Sequence, residues 1–222
     1  MKHAALQGMN VRVPAFDLAF RDQFASLVAW RRDVRRFRAD AVPVDLLERL
    51  LDLAQLAPSV GNSQPWRFVS VESAGARGSV RDNYRRCNAE ALAAQIGDRA
   101  SLYAGLKLAG LEEAPVQWAV FCDRATLQGH RLGCLAMPEA LDHSVAGMVS
   151  TLWLAARAAG LGIGWVSILD PAEVSSALAV SQDWKLIAYL CLGWPQEEHD
   201  DPELVRFGWQ DRTGAGRVVR VV

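Results

Sequence analysis

Arg31-Arg32-Asp33-Val34-Arg35 places three guanidiniums and one carboxylate within five residues. An arginine presents a planar fork of donors that fits phosphate oxygens two at a time, so the run is a candidate phosphate clamp. The same charges at a helix end would also favour the macrodipole and simply face water. Asp33 separates the run from an ordinary basic cap. A carboxylate among cations is either an ion-pair partner or a group that moves protons, and the sequence leaves both open.

A second set of polar groups lies in Ala57-Pro58-Ser59-Val60-Gly61-Asn62-Ser63-Gln64-Pro65-Trp66. Its hydroxyls, amides and exposed backbone suit the polar edge of a heterocycle. Its Asn, Ser, Gly and Pro suit a structural loop equally well. Gly162-Ile163-Gly164-Trp165-Val166-Ser167 carries two glycines in a strand pattern, which marks close approach of a ligand or of another backbone. The sequence contains no G-x-G-x-x-G fingerprint and no Walker loop. Its four histidines lack metal-ligand spacing, and Cys87, Cys122, Cys134 and Cys191 form no C-x-x-C pair. Free thiols and a reducing cytoplasm are the expectation.

Elements must position these groups. A helix over 17–30 delivers the arginine run. A second starts at the D-x-x-E of Asp45 and Glu48, carries the stripe Leu46, Leu47, Leu50, Leu51 and Ala54, and stops at Pro58. Strands are predicted over 66–71, 116–122, 162–168 and 185–193, and helices over 78–95 and 101–113. Residues 129–139 read as a loop or lid. The mostly apolar 142–159 reads as a long helix closed by Gly160, at least partly buried in an interface. Asp170-Pro171 starts a short helix, and the last thirty residues read as irregular.

With 222 residues, 51% of them hydrophobic and 22% charged, the chain can build one substantial core, so residues 1–222 read as a single domain. The net charge of −1 gives no reason to expect nucleic acid or an anionic membrane as partner. No apolar run approaches the roughly 20 residues of a membrane span, and no secretion signal is expected at the N-terminus. Alternating strands and dominant helices point to an α+β or α/β sandwich around one sheet.

Taken in order, R-R-x-V-R, A-P-S-x-G-N-S-Q-P-W and G-x-G-W-V-S resemble the nitroreductase superfamily of FMN proteins. Asp33 stands where most nitroreductases have serine. With the segments around Leu106-Lys107-Leu108, Cys122-Asp123-Arg124, Leu152 to Gly160, Leu190 to Gly193 and Pro202-Glu203-Leu204, it resembles the 5,6-dimethylbenzimidazole synthase branch. Asn62-Ser63 looks instead like an ordinary nitroreductase.

The resemblance implies an α+β fold, a three-layer α/β/α sandwich with one mixed, mostly antiparallel sheet. It also implies a homodimer with two FMN sites at the subunit interface. It assigns flavin contacts to Arg31, Arg32, Asp33, Val34, Arg35, Pro58, Ser59, Gly61, Leu108, Ser167 and Arg212. The arginines would hold phosphate and ribityl chain, and the Pro58-Ser59 loop would reach the ring from the other subunit. In this branch reduced FMN is substrate and O2 co-substrate; the flavin breaks into 5,6-dimethylbenzimidazole, the lower ligand of cobalamin, and erythrose 4-phosphate. Asp33 is then the expected proton-transfer residue and Ser167 an orienting hydroxyl. Residues 130–138 form the lid, and a separate flavin reductase supplies reduced FMN. Two other readings stay open: an NAD(P)H-dependent nitroreductase or flavin reductase, and a non-catalytic flavin-binding module.

Overall fold

The computed structural model describes residues 13–106, 109–214, 216 and 219–221. Helix α1 spans Leu18–Trp30, capped by Asp17, whose carboxylate accepts from the Phe20 N–H at 2.8 Å. Helix α2 spans Val44–Ala54 and buries Leu50 and Ala54 of the predicted stripe. Then follow β1 (Trp66–Ser70), α3 (Ala74–Ala93), α4 (Asp98–Gly105), α5 (Gly110–Glu113) and β2 (Val116–Asp123). The C-terminal half holds α6 (Ala140–Ala158), β3 (Gly162–Val166), α7 (Pro171–Ala177), β4 (Trp184–Gly193) and α8 (Glu203–Arg206).

The four strands pair antiparallel in the order β1-β2-β4-β3. Their side chains alternate between two cores, as the two-residue period of a strand requires. Trp118, Val120 and Cys122 of β2, with Ala188, Leu190 and Leu192 of β4, meet α2 and α6 on one face. Ala119 and Phe121, with Tyr189 and Cys191, meet α3, α5 and α7 on the other. The result is three layers. The parallel element lies at the edge, where Asp33 bridges Ile163 of β3 in parallel sense.

Several expectations change in detail. The helix expected over 101–113 is two helices, because α4 ends at Gly105 and α5 restarts at Gly110. Helix α3 starts earlier than expected, at a Ser73 cap whose hydroxyl accepts from the Ala76 N–H. Strand β3 stops at Val166, so Ser167 lies beyond it. Among the described residues the tail contains one short helix, α8.

The apolar character of α6 has its explanation inside this chain. Leu141, Val145, Met148, Val149, Leu152 and Ala156 all point into the core between sheet and α2. Helix α1 shows the opposite behaviour. It buries none of its residues, and Phe20, Phe24 and Val28, spaced four apart on one face, are each more than 40% exposed. No described helix is long and apolar enough to cross a membrane.

Candidate functional site at the sheet edge

The chain leaves α1 at Trp30 and runs extended along β3. Two hydrogen bonds fix its register there: the Val34 N–H donates to the Ile163 carbonyl at 3.0 Å, and the Trp165 N–H donates to Asp33 Oδ1 at 2.9 Å. The paired glycines of β3 make this contact possible. A Cβ at Gly162 would lie 2.6 Å from Val34 Cγ2, and one at Gly164 would lie 2.3 Å from the Val34 carbonyl oxygen. Of the two roles open to these glycines, the structure shows close approach of another backbone. Trp153 of α6 holds the segment from a second side, donating its indole N–H to the Arg32 carbonyl at 3.1 Å.

This packing brings Arg31, Arg32, Asp33 and Arg35 into one cleft with Arg212 and the segment Pro202-Glu203-Leu204. The arginines are held in different ways. The Arg31 guanidinium lies over the Trp153 ring at 4.8 Å, a cation–π contact that leaves its fork open. Arg32 donates to main-chain carbonyls of Asp200 and Arg31. Burial, then the neighbouring charges of Arg212 and Arg31, lower its pKa below the usual arginine value. Arg35 alone is committed to carboxylates, with Nε 3.4 Å from Asp33 and Nη1 3.8 Å from Glu203. Among the described residues, no carboxylate pairs with Arg31 or Arg212. Like charges gathered this way fit a multiply charged anion such as a phosphate monoester.

Asp33 sits low in the cleft. Protein atoms displace most of its surrounding solvent, although 38% of its side-chain surface still opens to the groove. Burial raises its carboxyl pKa above the ordinary aspartate value, against the opposing pull of the Trp165 N–H, Arg35 and Arg31. A carboxyl group whose proton affinity is raised above the ordinary aspartate value suits acid–base work. Ser167 is exposed two residues beyond Trp165, at the end of β3.

The Pro58-to-Gly61 loop lies elsewhere in the chain. Ser59 Oγ accepts from the Gln64 N–H at 3.0 Å, and the Val60 N–H donates to Ser144 Oγ at 3.0 Å. Ser144 is near the start of α6 and Trp153 is nine residues further on, roughly 13 Å along the helix axis. One copy of the chain therefore does not bring Pro58, Ser59 and Gly61 into its own arginine cleft. The loop is clasped by residues 128–133 instead. Gly61, at φ 58°, has no room for a Cβ beneath the carbonyls of Leu132 and Gly129, and Gln128 Nε2 donates to the Asn62 carbonyl at 2.9 Å. Leu108 lies outside the described residues.

Sequence reasoning missed Glu203 as a site residue, along with the main-chain roles of Trp165 and Asp200. Pro202-Glu203-Leu204 entered only as a segment of the branch resemblance, with no role assigned to Glu203.

The chain belongs to the nitroreductase family, whose profile matches residues 28–194. Its relatives within the family are more specific. It is 58% identical over 199 residues, 90% of this chain and 94% of the relative, to 5,6-dimethylbenzimidazole synthase of Rhodospirillum rubrum. It is 44% identical to the protein of that name from Rhodobacter capsulatus, over 88% of this chain and 95% of the relative. Those identities put it in the 5,6-dimethylbenzimidazole synthase branch. Among solved structures, oxidized iodotyrosine deiodinase bound to FMN and 3-iodo-L-tyrosine superposes with a TM-score of 0.67 at 26% identity, covering 79% of this chain and 91% of that one.

Proposed function

We propose that this protein is a 5,6-dimethylbenzimidazole synthase that uses reduced FMN as substrate and O2 as co-substrate. The observation that carries the reading is Asp33: a carboxylate of raised proton affinity, fixed by a main-chain N–H inside a cleft lined by four arginines. The two relatives bearing that name support it. The whole chain acts as one FMN-binding domain. Reduced flavin, when bound, supplies the electrons that O2 accepts.

The residues divide the work. Arg31, Arg32 and Arg212 hold the phosphate, so the ribityl chain stays in place while its bonds are broken. Val34 packs against Gly162 of β3 and so holds the flanking Asp33 and Arg35 in register. Asp33 moves a proton at the ribityl C1′, the carbon that becomes C2 of the benzimidazole. Ser167 orients the ring, and residues 130–138 exclude bulk water. Pro58, Ser59 and Gly61 reach the ring from a second copy, because their own cleft lies about two and a half helical turns away. The exposed stripe Phe20, Phe24 and Val28 of α1 supports a homodimer, since an isolated chain rarely leaves such a face in water. A lid over the ring leaves little room for a nicotinamide, which favours a separate flavin reductase. Four free cysteines favour the cytoplasm.

The test is to incubate the protein with FMN, a chemical reductant and air and to analyse the products by mass. Formation of 5,6-dimethylbenzimidazole is expected. No product, with steady NADPH oxidation by the same protein, would make it a reductase instead.

A further inference from the structure

Glu203, at the start of α8, is the most deeply buried acid of the cleft, with 9% of its side chain exposed. It faces two arginines without closing on either: Oε1 is 3.8 Å from Arg35 Nη1, and Oε2 is 3.6 Å from Arg36 Nη1. Its Oε1 is buried and accepts no hydrogen bond. On the far side of Arg35, the Asp33 contact is also long, at 3.4 Å through Nε alone. An unhindered arginine and carboxylate form a two-pronged pair near 2.8 Å. Here one guanidinium is stretched between two carboxylates and makes that pair with neither.

We propose that Glu203 is a positioning residue: by sharing Arg35 it keeps the guanidinium from closing on Asp33, and so leaves the Asp33 carboxylate available to accept a proton. The inference rests on the reading of Asp33 as the proton-transferring group. Arg36 sets the balance from behind. It pairs with Glu197 at 2.7 Å and contacts Glu203, so it draws Glu203 partly away from Arg35.

Asp33 also borders a cavity lined by Arg157, Glu197, Glu198, His199, Asp201 and Arg206, but none of these acids comes within ion-pair distance of Arg35. Arg31 and Arg35 come from the same segment as Asp33 and Arg212 from the tail. Cys191 of β4 lies behind it, its thiol pushed up to about 12 mainly by burial and so neutral. Tyr84 of α3 lies near Arg35, with its phenol raised by burial and likewise neutral. Among these described groups Glu203 is the acid that competes for Arg35.

Two substitutions then act in opposite directions. Glu203→Gln removes the competitor and a nearby negative charge, so Arg35 closes on Asp33 and Asp33 holds its proton less tightly. Arg36→Gln removes a cation and lets Glu203 pull harder on Arg35, so Asp33 holds its proton more tightly. The measurement is the titration of the Asp33 carboxyl carbon by carbon-13 NMR in the ligand-free protein, with the signal assigned through Asp33→Asn. The midpoint should move to lower pH in Glu203→Gln and to higher pH in Arg36→Gln. The acid limb of benzimidazole formation should move the same way in each. If Glu203→Gln does not fold, Arg36→Gln decides the matter alone. Midpoints equal to wild type, or both moving the same way, would overturn the proposal. A wild type that forms no benzimidazole would overturn the proposed function, and the NMR midpoints would still judge Glu203.

Discussion

The main-chain N–H of Trp165 donates to the Asp33 carboxylate at 2.9 Å, and this bond ties the centre of the arginine run to the end of β3. It exists because Gly162 and Gly164 present no side chains to Val34. Sheet edge, glycine pair and the Asp33 carboxylate are thus one arrangement.

Gly164→Ala should disturb the site before it disturbs the fold. The new Cβ would sit 2.3 Å from the Val34 carbonyl, so the segment 31–37 must lift from β3. Overpacking of this kind costs about 1–3 kcal/mol. Denaturant unfolding should show that loss, accompanied by weakened FMN binding. Wild-type stability would mean that the segment can shift freely.

The phosphate clamp predicts unequal arginines. Arg31→Ala should weaken FMN binding about ten- to a hundredfold, because a charge-assisted bond is worth about 1.5–3 kcal/mol. Arg35→Ala should weaken it less, since Asp33 and Glu203 already share that guanidinium. Riboflavin, which lacks the phosphate, should bind the wild type poorly and should not distinguish Arg31→Ala from it. Fluorescence titration checks both. Equal affinity of the wild type for riboflavin and FMN would remove the clamp.

Asp33 should also cost the ligand-free protein stability. Its folded-state pKa is raised by burial, so folding favours the protonated carboxyl. Its stabilising contribution is full at low pH and is lost as pH rises from the ordinary aspartate value through the raised one. Asp33→Asn should therefore gain on the wild type as pH rises towards neutral, and the difference should shrink in acid. Thermal melts across that range measure it. An advantage that grows in acid would contradict the raised value. In catalysis the same variant should still bind reduced FMN and consume O2, but should form benzimidazole about a hundred- to ten-thousandfold more slowly.

Association should depend on α1. Charged replacements at Phe20 and Phe24, which lie on one exposed face, should leave the fold intact and separate the copies. Sedimentation of the wild type should give a dimer at micromolar concentration. A stable wild-type monomer would remove the shared site.

Some of this was legible in the sequence because the signals are local. Asp17 marks a helix start through its own side chain and Gly160 a helix end through its own positive φ, and Gly162 and Gly164 announce a close approach within one strand. The arginine run marks the cleft through its composition alone. What was not legible depends on distant parts of the chain. Glu203 meets Arg35 across most of the sequence, and Arg32 meets the Asp200 carbonyl 168 residues away, where main-chain atoms carry no residue signature. The apolar run of α6 suggested an interface, yet a helix lying between the sheet and α2 has the same composition. The exposed stripe of α1 was harder to see, because its apolar residues read equally well as core.

The central claim is that reduced FMN is taken apart in this cleft, and it is tested most directly by following one carbon. FMN labelled with carbon-13 at the ribityl C1′ is incubated with the protein, a chemical reductant and air, and the products are analysed by mass spectrometry. The account predicts 5,6-dimethylbenzimidazole heavier by one mass unit, with the label at C2. Unlabelled benzimidazole, or labelled FMN recovered intact after repeated reduction and reoxidation, would contradict it.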